Sequence, residues 1–203
     1  MGSTPVGCTK LQIIMKLVLA SKSPRRKEIL NNAGFSFEVL DANFLEVDLA
    51  LHPIETAVNN ALGKARSAFK AVCDLSAVVL GADTVVYFND TLLGKPKDQD
   101  HAKRMLKALS AKTHSVVTGY AIVYKDKEIT GYSESKVTFN ELSEELIEEY
   151  VKSGSPMDKA GAYGIQDDYP IVKSYDGSLS NVIGLPIEEI KPILDKILKD
   201  DTK

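Results

Sequence analysis

Two adjacent arginines, Arg25 and Arg26, stand where the sequence predicts the first turn of a helix. Ser23 is a favoured N-cap and Pro24 a favoured first helical residue, which places the arginines at the second and third positions. A helix N-terminus already carries partial positive charge, so two cations there call for an anion. With the hydroxyl of Ser21 nearby, the stretch predicts a phosphate site, and a surface helix start with two solvated arginines is the alternative.

A carboxylate, Asp83, interrupts the apolar segment AVVLGADTVVYF at residues 77–88. An isolated buried carboxylate is costly, so it should be paired, bind a metal or face a cleft. Gly81 would let a ligand or a neighbouring backbone come close. A structural aspartate in a turn is the alternative. The residues alone leave open whether Asp83 is a metal ligand or a general base.

Three more stretches carry polar side chains that could serve a site. Lys64 borders a small-residue stripe on a predicted helix, where periodicity favours a side chain that snorkels into solvent. Lys95 lies between Gly94 and Pro96, which is also typical of a surface turn. The stretch SPMDKAGAYGIQ contains Lys159 and Gln166, and the Gln166 amide could pair with a pyrimidine's carbonyl and N–H groups. A loop with ordinary structural contacts is the alternative.

Composition excludes several functions. The 203 residues carry a net charge of −3, which argues against a nucleic-acid polymer as partner. Two cysteines form no disulfide framework, and the three histidines show no metal-ligand spacing. No apolar run approaches the ~20 residues that span a bilayer. We therefore expect a cytoplasmic protein without a membrane partner, and a flexible extension at residues 1–15.

The elements that must position these residues alternate between strands and helices, which predicts an α/β fold with a mixed sheet and lobes around a cleft. Helices are expected at Pro24–Asn32, ending at Gly34, at 53–72, after the caps Asp98 and Ser143, and from Pro186, where Pro192 should kink or split the helix. Strands are expected near residues 16–20, 35–40, 77–88, 114–125, 128–139, 171–175 and 179–183.

The order of these motifs resembles the Maf family of nucleotide pyrophosphatases. LASKSPRR is followed by GADTVV, LLGKP, DKAGAYGIQ and NVIGLP, and the agreement runs from about residue 16 to 190. The resemblance implies a Maf-like domain over 16–200, with an inosine triphosphatase-like fold: an elongated mixed sheet, flanking helices and two lobes around a central cleft. It also implies hydrolysis of nucleoside triphosphates to the monophosphate and pyrophosphate, a Mg²⁺ or Mn²⁺ cofactor, and a homodimer.

The resemblance also assigns roles to residues. Catalytic roles fall to Arg26, Lys64, Asp83 and Lys95. Metal binding falls to Asp83 and to Glu46, which the stretch NFLEVD alone would not have singled out. Substrate-binding roles are expected for Ser21, Ser23, Arg25, Thr84, Lys159 and Gln166. Of these, Thr84 and Gln166 are expected to recognise the pyrimidine.

Two short sequences point to a subfamily. Ala82-Asp83-Thr84 and Gly164-Ile165-Gln166 are similar to members that prefer dTTP and UTP. The alternatives are a pyrophosphatase for modified purines such as 7-methyl-GTP, or a nucleotide-binding regulator of cell division without turnover. The chain also departs from the family, because Ser155 replaces a usual Glu and Asp167-Asp168 replace a usual Gly-rich stretch.

Overall fold

In the computed structural model, residues 15–49 and 52–200 are described. The predicted extension at residues 1–15 lies outside them, except for Met15. The helices are α1 (Pro24–Asn32), α2 (Pro53–Val72), α3 (Gln99–Leu109), α4 (Glu144–Lys152), α5 (Leu179–Ile183) and α6 (Ile187–Asp200). The strands are β1 (Lys16–Leu19), β2 (Phe37–Val39), β3 (Ala77–Phe88), β4 (Thr91–Leu93), β5 (Thr113–Tyr124), β6 (Lys127–Phe139) and β7 (Val172–Asp176).

The strands form one mixed sheet in the order β2-β1-β3-β5-β6-β7, with β4 paired to β3. β1 runs parallel to β2 and β3, and the remaining pairs are antiparallel. β3 and β5 are long and β-branched, and they run through the centre of the sheet. The mixed α/β architecture predicted from the sequence is confirmed.

One face of the sheet is covered by α2, which can approach closely because both surfaces are built from small residues. Ala57, Ala61, Ala65 and Ala68 are fully buried on the helix. On the sheet, Gly81 and Gly119 have no side chain to hold the helix away. A Cβ on Gly81 would lie 2.3 Å from the backbone oxygen of Ala61. The neighbouring backbone that Gly81 admits is therefore that of α2.

The opposite face is covered by α1 and α6, whose residues Leu30, Ile190 and Leu194 pack with Leu80 of β3. A separate cluster surrounds the other end of β3, where Val86 packs with α3, α4 and the end of β6. The chain therefore has two lobes that share β3 and β5, as predicted. Asp83 lies on β3 between the two packing regions.

One local expectation is wrong, and one of the two effects expected of Pro192 does not occur. Residues 179–183 form the helix α5 and not a strand, because the Ser178 side chain accepts a hydrogen bond from the Asn181 N–H and starts a helical turn. Pro192 does not split α6, which runs unbroken to Asp200. Pro192 has no N–H to donate to the Glu188 carbonyl, so one backbone hydrogen bond of α6 is missing. The buried side chains of Ile190 and Leu194, which flank Pro192, stabilise the helix.

Other boundaries follow the sequence. α1 ends before Gly34, whose φ of +86° is the left-handed conformation expected after a helix. Asp98 and Ser143 cap α3 and α4 with their side chains, as predicted. Across the described part of the chain, none of the helices combines the length and the apolar character needed to span a membrane.

Candidate active site

A cleft of about 640 Å³ opens at one edge of β3. β1 pairs with β3 only as far as Leu80, and β4 begins to pair at Val86. Over the described residues, the edge of β3 from 81 to 85 therefore has no strand partner. The chain leaving β1 turns into α1 at the same place, so the cleft lies at the carboxyl end of a parallel strand, where α/β proteins usually bind ligands.

Asp83 faces α2 in this cleft and is 7% exposed. Its Oδ1 accepts a hydrogen bond of 2.6 Å from Lys64 Nζ, and its Oδ2 accepts one of 3.1 Å from Asn60 Nδ2. Asn60 and Lys64 are four residues apart on α2, which places both on the helix face that meets the strand. The buried carboxylate is thus satisfied on both oxygens.

Lys64 also contacts a second carboxylate, because its Nζ lies 2.6 Å from Glu46 Oε1. Glu46 belongs to a segment without regular secondary structure that α2 holds in place. Asn60 exchanges two hydrogen bonds of 2.9 Å with the backbone of Val47, and the ring of Phe44 packs on Gly63. The sequence NFLEVD shows no regular pattern because this segment is positioned by side-chain contacts.

The electrostatics of the cleft favour a bound anion. Burial alone would raise the pKa of Glu46, but the Lys64 hydrogen bond and the charges of Lys64, Lys95 and Arg26 outweigh it and lower that pKa. Burial also lowers the pKa of Arg26, although the charge of Asp83 opposes this shift. A buried cation in this position would be stabilised by a phosphate beside it.

The Arg26 guanidinium is fixed by three hydrogen bonds to neutral oxygens. Nε donates to the Gly184 carbonyl at 2.8 Å, Nη1 to Ser21 Oγ at 3.1 Å, and Nη2 to Thr84 Oγ1 at 3.2 Å. Thr84 also contacts Thr118 Oγ1 at 3.0 Å. The Thr84 hydroxyl therefore orients Arg26 within the structure.

The first turn of α1 presents further donors to the cleft. Ser23 occupies the N-cap position, but its side chain makes no capping hydrogen bond, and its backbone N–H donates to Ser21 Oγ at 3.2 Å. Arg25 reaches the other lobe, where its Nη1 contacts Asp158 Oδ2 at 2.7 Å. Burial would raise the pKa of Asp158, but hydrogen bonds from Arg25 and Lys159 outweigh it and lower that pKa.

The opposite wall comes from the turns that follow α4. Lys159 is 8% exposed, and its Nζ donates to the Ser155 carbonyl at 2.5 Å and to Asp158 Oδ1 at 3.0 Å. Gln166 is exposed on the same wall, and its Nε2 donates to Asp167 Oδ1 at 3.1 Å. Lys95 is exposed and lines the same cleft, where its charge helps to lower the pKa of Glu46.

Comparison with known proteins identifies the family. The model of the family described as Maf-like protein matches residues 16–197. The chain belongs to the Maf family. It is 44% identical over 185 residues to the dTTP/UTP pyrophosphatase of Thermoanaerobacter sp. (strain X514), covering 90% of this chain and 96% of the relative. It is 45% identical over 177 residues to the dTTP/UTP pyrophosphatase of Bacillus thuringiensis subsp. konkukian (strain 97-27), covering 86% and 92%.

A solved structure also aligns with this Maf protein. It is the nucleoside-triphosphatase / dITP/XTP pyrophosphatase of Mycobacterium abscessus ATCC 19977 / DSM 44196, with a TM-score of 0.43 and 16% identity, covering 90% of this chain and 98% of that chain.

All the site residues predicted for the Maf protein line the one cleft. They are Ser21, Ser23, Arg25, Arg26, Glu46, Lys64, Asp83, Thr84, Lys95, Lys159 and Gln166. Lys64 differs most from expectation, because its side chain points into the cleft although the periodicity of α2 favours a side chain that snorkels into solvent. Its charge is held by Glu46 and Asp83, which are distant in sequence, so a pattern confined to α2 could not show it. The roles of these residues stay predictions.

Several residues that the sequence reasoning missed hold the Maf site together. Asn60 was detectable in principle, since a polar residue on the alanine stripe one turn before Lys64 needs a buried partner. Thr118 was not detectable, because its contact with Thr84 depends on the register of β5 against β3. Tyr150 reaches the site only through tertiary packing, where its hydroxyl donates to Asp167 Oδ2 at 2.5 Å.

The two stretches where the sequence is expected to depart from the Maf pattern meet in space. Ser155 Oγ donates to Asp167 Oδ2 at 2.7 Å, and Lys159 Nζ lies 3.5 Å from the same oxygen. The neighbouring Asp168 is exposed. Ser155 and Asp167 therefore belong to one polar cluster beside Lys159 and Gln166.

Proposed function

We propose that this Maf protein hydrolyses dTTP and UTP between the α- and β-phosphates, releasing the nucleoside monophosphate and pyrophosphate. One observation carries the proposal: a single cleft joins the carboxylates of Asp83 and Glu46 with cations from three separate segments. Those cations are Arg25, Arg26, Lys95 and Lys159. Two relatives of 44% and 45% identity are named dTTP/UTP pyrophosphatase, and this supports the substrate class.

The cations have different roles toward the triphosphate. Arg26 is held rigidly by Gly184, Ser21 and Thr84, so it offers its remaining N–H groups in a fixed direction to a phosphate oxygen. Ser23 lines the cleft and does not use its hydroxyl to cap α1, so the hydroxyl can donate to the same anion. Lys95 and Lys159 approach from the other lobe and stabilise the negative charge that develops as the anhydride bond breaks.

The carboxylates fit a divalent cation. A single ammonium, Lys64 Nζ, already lies 2.6 Å from an oxygen of each, so the pair stabilises positive charge between them. Within the described ranges no group of three acidic, His or Cys side chains could hold a metal alone. Mg²⁺ commonly takes one or two carboxylates and completes its shell with phosphate oxygens and water. Asp83 and Glu46 would hold Mg²⁺ or Mn²⁺, which would supply charge neutralisation and an activated water.

A panel of triphosphates with pyrophosphate detection tests the proposal. Purified protein with Mg²⁺ or Mn²⁺ is offered dTTP, UTP, dCTP, GTP and 7-methyl-GTP, with Asp83→Asn as the matched inactive control. We expect pyrophosphate and monophosphate in equal amounts from dTTP and UTP. A preference for 7-methyl-GTP would contradict the proposed substrate class but agree with the proposed reaction. Binding of dTTP without pyrophosphate release would indicate a nucleotide-binding regulator and contradict the proposal.

Three sequence-based expectations stay predictions: a cytoplasmic location, a homodimer, and a single Maf-like domain over residues 16–200. Sedimentation of the full chain, with and without dTTP and Mg²⁺, measures the assembly state.

A further inference from the structure

The two carboxylate oxygens of Asp167 contact different side chains of one polar cluster. The Asp167 side chain is only 13% exposed. Oδ2 accepts hydrogen bonds from Tyr150 Oη at 2.5 Å and Ser155 Oγ at 2.7 Å, and it lies 3.5 Å from Lys159 Nζ. Oδ1 accepts a hydrogen bond of 3.1 Å from Gln166 Nε2. Each oxygen thus faces one of the predicted substrate-binding side chains.

The contact with Asp167 fixes the orientation of the Gln166 amide. A carboxylate only accepts hydrogen bonds, so the amide nitrogen must face it. Gln166 lines the cleft whereas Asp167 lies behind it. One of the two N–H groups of Nε2 is then used, and the amide oxygen Oε1, which can only accept, is directed away from Asp167 and is open to a ligand.

Gly164 supports this arrangement because it leaves room for both side chains. A Cβ at Gly164 would lie 2.6 Å from Gln166 Nε2 and 2.8 Å from Asp167 Oδ1. The side chains of Gln166 and Asp167 therefore pack directly on the backbone of Gly164, and a side chain at position 164 would displace them.

We propose that Asp167 is a positioning residue that sets base specificity, by holding Gln166 with its amide oxygen toward the base. An acceptor there pairs with a ring N–H, which thymine and uracil carry at N3, and it repels the lone pair that cytosine has at N3. The proposal rests on the proposed function, since it takes a pyrimidine nucleotide as the ligand. It adds that the enzyme discriminates against cytosine, and it names the residue responsible.

Asp167→Asn tests the proposal because its effect on Gln166 has a definite direction. The ammonium of Lys159 only donates, so the new amide must keep its oxygen toward Lys159, Tyr150 and Ser155. Its Nδ2 then faces Gln166, whose amide must turn over and present Nε2 to the base. The variant keeps the shape of the side chain, and it should favour cytosine where the wild type favours thymine.

The measurement is the ratio of the Kd values for dCMP and dTMP, determined by calorimetry, together with the kcat/KM ratio for dTTP and dCTP. We expect Asp167→Asn to lower the preference for thymine by about tenfold or more, the size of one hydrogen bond gained or lost. Asp168→Asn is the matched control, because it removes the same charge from the exposed neighbouring residue, and it should leave both ratios unchanged.

Two outcomes overturn the proposal: an unchanged ratio in Asp167→Asn, or equal losses for both bases, which would indicate a merely structural role. Should Asp167→Asn fail to fold, Gln166→Ala on the exposed side chain must by itself remove the preference, and a retained preference overturns the proposal. A wild type that prefers dTMP in binding but releases no pyrophosphate would contradict the proposed function alone. A wild type that binds neither monophosphate would contradict both.

Discussion

Lys64 Nζ lies 2.6 Å from Asp83 Oδ1 and 2.6 Å from Glu46 Oε1, so one ammonium joins two carboxylates from different segments. The side chains of Lys64 and Asp83 are only 12% and 10% exposed, so solvent screens their attraction weakly. Glu46 is half exposed, at 50%, and its segment is held in place by Asn60. The contact thus connects Lys64 on α2 and Asp83 on β3 with the segment that carries Glu46.

Replacing Lys64 with Met should destabilise the fold, because it leaves the buried carboxylate of Asp83 without its countercharge. We expect the free energy of unfolding in urea to fall by about 3 kcal/mol. Adding Asp83→Asn should recover about 1–2 kcal/mol, since the uncompensated charge is then gone. Arg66→Met on the same helix is the control, because its ion pair with Glu128 is exposed and should matter far less. A double variant no more stable than Lys64→Met would contradict the pairing.

Asp83→Asn alone should abolish pyrophosphate release while nucleotide binding survives. Asn keeps the size of the side chain, and its oxygen can still accept from Lys64, but it provides neither a charge for a cation nor a base for a proton. We expect kcat to fall by about 10²-fold or more, with the Kd for dTTP changed far less. Rapid-quench assays and equilibrium binding measure the two quantities. Full activity in this variant would remove Asp83 from the mechanism.

Arg26 should not be replaceable by lysine. Its guanidinium donates to Gly184, Ser21 and Thr84 at once, and an ammonium cannot reproduce that planar geometry. We expect Arg26→Lys and Arg26→Ala to raise KM or lower kcat for dTTP by similar factors, about 10²-fold. Thr84→Val should lower activity less in the Arg26→Ala background than in the wild type, since it acts through Arg26. Unchanged kinetics in Arg26→Ala would mean that the arginine binds no phosphate.

Gly81 is predicted to tolerate no side chain. A Cβ there would meet the Ala61 oxygen at 2.3 Å and the Ala65 nitrogen at 2.9 Å, both backbone atoms of α2. We expect Gly81→Ala to lower the free energy of unfolding by about 2–3 kcal/mol through displacement of the helix. Gly94→Ala is the control, because nothing lies within 4 Å of a Cβ built there. Thermal or urea denaturation of both variants gives the comparison, and equal stability would contradict this packing.

The sequence predicted those features whose signals are local. The helix start at Pro24 follows from the preference of proline for the first helical position. The starts after Asp98 and Ser143 follow from side-chain capping, and the end of α1 follows from the left-handed Gly34. The strand predicted at 179–183 is wrong. The Ser178 cap is a local signal that was overlooked, and the tertiary hydrogen bonds of the buried Asn181 side chain to Val116 and Ser135 could not be read from the sequence. In the site, the inward turn of Lys64 and the position of Glu46 depend on partners 19 and 18 residues away, which only the folded chain brings together.

His114 should make stability depend on pH. It is 3% exposed at the start of β5, its Nε2 lies 2.8 Å from Tyr163 Oη, and burial lowers its pKa to about 4. In the unfolded chain its pKa returns to about 6.5, so between these values the unfolded state binds more protons and stability falls as pH falls. We expect the free energy of unfolding to fall by about 2 kcal/mol between pH 7 and pH 5. His114→Gln should not show this decrease, whereas His52→Gln, which replaces an exposed histidine, should show it as the wild type does. Urea titrations at both pH values measure this, and an identical pH dependence in His114→Gln would exclude His114 as its source.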